Sequence, residues 1–124
     1  MDREISCVPD ALGPNALGFV RRAVSGESGE QDECVIREIA AVRGYFVAEV
    51  VVCDTAVRTA ALLAIEHIRV VEAVAVIVPG LAHVEPFARA VTELCDLITP
   101  EQTYPRKYRW PSLLPADHPY RRLP

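Results

Sequence analysis

Aromatic residues are scarce in this sequence, at 6 % of the 124 residues, and tryptophan and methionine occur once each. The core must therefore be built from Val, Ala, Leu and Ile, which suits layered packing of helices on a sheet. No apolar run reaches the roughly 18 residues that a bilayer span needs. The longest, at 60–78, is broken by Glu66, His67 and Arg69. The four cysteines, Cys7, Cys34, Cys53 and Cys95, form no CxxC pair and have no histidines at ligand spacing. That arrangement indicates neither a zinc site nor a redox motif, so no metal and no cofactor is expected. Residues 1–15 carry Asp2, Arg3 and Glu4 and two prolines instead of a basic start and an apolar core, so they are expected to be a flexible lead-in and not a signal peptide. Buried reduced thiols and a cytoplasmic location are the corresponding expectations.

The net charge of −4 hides an asymmetry. Residues 106–124 hold Arg106, Lys107, Arg109, Arg121 and Arg122 against Asp117 alone, a local charge of +4 that leaves −8 on the rest. An acidic body does not attract a polyanion over its whole surface, so any contact with DNA would rest on that basic segment. Arg106, Lys107 and Arg109 in RKYRW are the candidate nucleic-acid contacts, interleaved with aromatics that either stack on a base or pack on the domain itself.

One domain is expected at this length. ALGFVRR at 16–22 has the apolar run of a buried strand, followed by a Gly/Ser/Glu loop at 25–29. Ser28 and Gln31 form a capping-box pattern, and Val35, Ile36, Ile39, Ala40 and Val42 recur at helical spacing up to Gly44. FVAEVVVC at 46–53 predicts a second strand, after which Asp54 or Thr55 would cap a helix whose apolar face is Val57, Ala60, Ala61, Ala64, Ile65 and Ile68. Residues 73–78 predict a third strand and Pro79–Gly80 its end. Phe87, Ala90, Val91, Leu94 and Cys95 supply a third helix, and 96–99 a short edge strand. Continuous apolar strands alternating with helices predict a three-layer α/β sandwich with a mostly parallel sheet and helices on both faces, of flavodoxin-like or resolvase-like type. The units are then a lead-in at 1–15, the α/β domain at 16–99 and a Pro-rich basic tail at 100–124, which carries six of the ten prolines and is expected to wrap the domain or remain disordered.

A doubly wound sheet places its site at the carboxyl ends of the strands. The first such loop, GESG, lacks a GxGxxG fingerprint and a Walker lysine, and Glu27 and Glu30 would repel a phosphate, which argues against a nucleotide site. The stretch LGFVRRAVSGESGEQDECVIREIAAVRGY resembles the opening of a resolvase- or invertase-type serine recombinase, in which a GYxRxS strand end precedes a glutamine-bearing loop and a helix that ends in a Gly-aromatic turn. Gly18, Phe19 and Arg21 match. The resemblance continues through AEVVVCD, with Asp54 at an acidic strand end, and through VEAVAVIVPGLAHVEPFARAVTEL, covering residues 16–98.

That resemblance implies attack by a serine hydroxyl on a DNA phosphodiester, with arginines around the developing negative charge. An ungapped reading places Ala23 at the nucleophile and leaves Ser25 two residues further on. In the family's LDRLxR loop, Pro79 stands for the aspartate, and Gly80 and His83 for the two arginines. Arg21 and Asp54 remain, so Ser25, Arg21 and Asp54 are the vestigial catalytic set and His83 is a candidate ligand contact. The family's long dimerisation helix and helix-turn-helix have no counterpart in the sequence. The expectation is a bacterial, non-catalytic interaction or regulatory domain that meets a protein partner or itself, with weak DNA contact and no membrane. Two alternatives stand beside it. One is an active recombinase or nickase using Ser25 with Arg21, Arg22 and Arg58. The other is a flavodoxin-like small-ligand module with a pocket bordered by Asp54 and His83. A Ser25, His83 and Asp54 constellation for acyl transfer is also conceivable, without the GxSxG elbow. His67 and His118 read as structural or solvated.

Overall fold

The computed structural model describes residues 13–111. Strand β1 (Asn15–Arg21) is followed by a short helix α1 (Arg22–Ser25), helix α2 (Gly29–Arg43), strand β2 (Phe46–Cys53), helix α3 (Val57–Val70) and strand β3 (Ala75–Ile77). Two 3-10 turns, Leu81–His83 and Glu85–Phe87, then lead into helix α4 (Ala88–Leu94), strand β4 (Asp96–Ile98) and strand β5 (Thr103–Tyr104). The sheet order is β2-β1-β3-β4-β5, parallel throughout except for the last pair.

The order of strands follows from which way the chain steps. From β1 it moves outward to β2, then returns past β1 to β3 and on to β4. Right-handed crossovers place helices on opposite faces when the direction of stepping reverses. The core divides accordingly. Ile36 and Ala40 of α2 bury against Ala16, Val20, Ala75, Ile77 and Ile98 on one face. Ala60, Ala64 and Ile68 of α3 and Val91 of α4 bury against Leu17, Phe19, Val51, Val76 and Leu97 on the other. This is the three-layer α/β sandwich that the alternation of apolar segments predicts.

Gly18 lets α2 approach the sheet closely, since a Cβ there would lie 3.0 Å from Ile36 Cγ2 and 3.1 Å from Val50 Cγ2. Gly44 ends α2 at φ 82°, and its N–H closes on the carbonyl of Ala40.

Several local signals resolve differently. Ser28 is the N-cap of α2 but its side chain makes no capping bond, and α3 starts from Ala56 without a side-chain cap, so neither Asp54 nor Thr55 acts as one. Residues 22–25 coil into a helical turn instead of extending the strand to Arg22. β4 is not at the edge, because Thr103–Tyr104 pairs antiparallel outside it. The segment after it folds back on the domain. Lys107 N–H donates to the carbonyl of Thr92 across 2.7 Å, Trp110 Nε1 donates to Thr92 Oγ1 across 2.9 Å, and Tyr104 stacks on Trp110 with ring centroids 4.7 Å apart. The tail beyond 111, with Arg121, Arg122 and His118, and the lead-in at 1–12, with Cys7, lie outside the described residues.

Candidate functional site

Reversal of the chain's stepping creates a switch point between β1 and β3, and ligands of open α/β sheets sit outside the carboxyl ends of strands at such a point. Arg21 ends β1, and His83 lies in the turn after β3, so both occupy that place. His83 is buried, and its Nδ1 accepts the backbone N–H of Arg21 across 2.9 Å. A ring nitrogen that accepts carries no proton, which puts the proton of the neutral ring on Nε2. That nitrogen faces Asp32 Oδ2 at 3.8 Å. Burial holds the imidazole pKa below its ordinary value; Asp32 opposes this and the Arg21 guanidinium adds to it. Phe19 and Phe87 meet edge to face at 5.9 Å beneath the turn and tie it to β1.

Asp32, in the first turn of α2, also accepts a hydrogen bond from the Ser25 hydroxyl. The carboxylate therefore stands between serine and histidine. In acyl-transfer wiring the imidazole touches the hydroxyl and the carboxylate orients the far side of the ring. Here His83 makes no hydrogen bond with Ser25, and its Nδ1 is already occupied by the backbone. The Ser25, His83 and Asp54 constellation is not assembled: Asp54 is exposed at the end of β2 and, among the described residues, forms no hydrogen bond or ion pair with either.

Ser25 opens onto a groove of about 550 Å³ beside the ends of β1 and β2. Its lining includes Glu27, Glu30 and Glu33 against, among the described residues, a single basic residue, Arg22. Arg21, conversely, is 9 % exposed, and its buried Nε has no hydrogen-bond partner among the described residues. Arg58 is exposed on α3. Among the described residues the cations that phosphodiester chemistry needs around the oxygens are not gathered at Ser25, and three carboxylates line the groove instead. Neither Asp54 nor His83 lines this groove.

The candidate nucleic-acid residues are in a different place, beside α4 and β4. Arg106 N–H donates to Asp96 Oδ1 across 2.7 Å, and Lys107 Nζ pairs with Glu93 Oε1 across 2.8 Å, holding the Glu93 carboxyl below its ordinary range. Arg109 is exposed. Of the interleaved aromatics, Trp110 stacks on Tyr104 and bonds to Thr92, and Tyr108 meets both rings edge to face. His67 pairs with Glu49 across 2.8 Å and links α3 to the middle of β2. Of the thiols, Cys53 and Cys95 are buried, whereas Cys34 is exposed, against expectation, because it lies on the outer side of α2; among the described residues none of the three forms a disulfide. Among the described residues no helix is long and apolar enough to cross a membrane, and no group of three His, Cys, Asp or Glu side chains gathers as a metal site.

Comparison with protein-family models, with curated proteins and with solved structures finds no match to this chain. The residue that sequence reasoning missed is Asp32. It belongs to the helix and not to a strand-end loop, and its only local signal is a place in the acidic first turn of α2.

Proposed function

We propose that this chain is a serine-recombinase-like domain that has lost strand-cleavage chemistry and acts through protein contacts, in an interaction or regulatory role. The observation that carries the reading is the state of Ser25. Its hydroxyl is bonded to Asp32, and the groove before it is rimmed by Glu27, Glu30 and Glu33. A phosphodiester approaching that groove meets like charge, and loss of even one charge-stabilising contact costs on the order of 2–4 kcal/mol in the transition state. The parallel order β2-β1-β3-β4 is compatible with a resolvase-like or flavodoxin-like sheet, and Arg21 stands at the end of β1 as the resemblance implies. An intracellular location belongs to the same reading, in keeping with three cysteines that form no disulfide among the described residues.

The rival that employs Ser25 as a DNA nucleophile needs Arg21, Arg22 and Arg58 to converge on it. Of these, Arg22 alone shares its groove. The small-ligand rival needs a pocket bordered by Asp54 and His83, and the groove at the strand ends is bordered by neither. The deciding experiment incubates the purified protein and Ser25→Ala with labelled supercoiled and linear DNA at low salt. The expected result is no nicking, no covalent adduct and no salt-sensitive binding from either protein. An adduct formed by the wild type and lost in Ser25→Ala would overturn the proposal.

A further inference from the structure

Among the described residues α2 is alone on its face of the sheet, whereas α3 and α4 share the other. One flank of α2 is left open beside the turn that carries Thr99. It forms a groove of about 340 Å³ whose helical wall is Val35, Glu38, Ile39, Val42 and Arg43. Val35, Ile39 and Val42 follow the i, i+4, i+7 rule and make one apolar stripe along the flank of α2, beside the buried Ile36 and Ala40, with Ile39 half-buried against the same core and Val42 exposed at the stripe's end. Val42 is 84 % exposed, the most exposed large hydrophobic residue among the described residues.

The charges at the borders of the stripe say what fits it. With Ile39 as position a of a heptad, Val35 and Val42 fall at d, Glu38 at g and Arg43 at e. In a parallel pair of helices related by a two-fold axis, g of one helix faces e of the other five residues on. Glu38 of one copy then meets Arg43 of the other, twice. An antiparallel pair would set Glu38 against Glu38 and Arg43 against Arg43. Arg43 already donates through one terminal nitrogen to Thr103 Oγ1, which fixes the guanidinium at the groove edge and leaves its other N–H groups available.

We propose that α2 pairs in parallel with α2 of a second copy of this chain, through Val35, Ile39 and Val42 and two reciprocal Glu38–Arg43 ion pairs. The helix is already folded on its sheet, so pairing orders no backbone. The stripe spans little more than two turns, which makes the dimer weak and concentration-dependent. The inference rests on the interaction reading above for its role and names the partner of that reading.

Sedimentation of the purified full chain over a wide concentration range, without DNA, tests it. The wild type is expected to show a monomer–dimer equilibrium. Glu38→Arg and Arg43→Glu are each expected to weaken association by about tenfold or more. An equimolar mixture of the two variants is expected to recover it, because both cross-pairs are then attractive, and recovery excludes misfolding as the cause of the single losses. The double reversal Glu38→Arg/Arg43→Glu should also recover it in a parallel pair and not in an antiparallel one. A wild type that stays monomeric up to on the order of 1 mM, or dimers indifferent to the single reversals, would overturn the proposal. The outcome is separable from the DNA experiment: a monomer inert toward DNA fails this inference alone, and a cleaving dimer fails the functional reading alone.

Discussion

The imidazole Nδ1 of His83 accepts the backbone N–H of Arg21 across 2.9 Å although 62 residues separate them in the chain. Through this bond the turn after β3 terminates β1 in place of another strand residue. The buried ring is kept neutral by its surroundings, with consequences for stability.

His83 has a folded-state pKa below its ordinary value. The folded chain therefore binds this proton less readily than the unfolded chain does. The contribution of His83 to stability is full above about pH 6.5, the unfolded value, and is lost as pH falls from there toward the lowered folded value. Denaturant melts at pH 7.5 and 5.5 should show this loss in the wild type, and His83→Asn should show less of it. His83→Ala should cost about 1–3 kcal/mol at pH 7.5, because it leaves a buried N–H of Arg21 without its acceptor.

Asp32 and Ser25 form one coupled unit. Asp32→Ala removes an ionised acceptor and a carboxylate from the first turn of α2, so a loss of about 1–2 kcal/mol is expected. A double-mutant cycle with Ser25→Ala should return a coupling of about 0.5–1 kcal/mol. Independent, additive losses would mean that the serine hydroxyl is bound elsewhere in solution.

Gly18 is a packing glycine, buried between Ile36 and Val50. Gly18→Ala forces α2 or β2 outward and should destabilise by about 1–3 kcal/mol despite the higher strand propensity of alanine. A Val50→Ala change in the same chain, which removes the Cγ2 methyl at 3.1 Å, should recover part of the loss, as read by chemical denaturation.

The thiols should separate by reactivity. Burial pushes the Cys95 thiol up to about 12, and Cys53 is likewise buried, while Cys34 is exposed. In a Cys7→Ser background at pH 8, an alkylating reagent is expected to modify Cys34 alone in the native protein, and Cys53 and Cys95 only after denaturant is added. Mass spectrometry of the digested protein reads the sites.

Trp110 is the single tryptophan of the chain and reports on its own docking. Its Nε1 bond to Thr92 and its stack on Tyr104 predict a blue-shifted emission that moves to the red in Thr92→Val. Trp110→Ala should cost on the order of 1–3 kcal/mol through the lost stacking and hydrogen bond.

The succession of elements follows from the order of residues alone. Hydrophobic periodicity is a property of neighbouring residues, so Val35, Ile36, Ile39 and Ala40 announce a helix, and FVAEVVVC a strand, wherever they come to lie. The same local logic misled at Ser28, Asp54 and Thr55, where good capping residues make no side-chain capping bond. It also failed to reveal Thr103–Tyr104, whose two residues form a strand only because the outer edge of β4 is available. Arg21, Ser25 and His83 were legible as candidates because strand ends can be located from the pattern. Their grouping was not. Which strand ends become neighbours depends on strand order and on the handedness of the crossovers, and these placed β3, not β2, on the side of β1 where His83 reaches Arg21 and Asp32. Asp54, at the end of β2, was left in solvent. Sequence periodicity decides which face of an element is buried; the tertiary structure alone decides which polar groups share the remaining space, because those contacts join residues whose separation along the chain has no period.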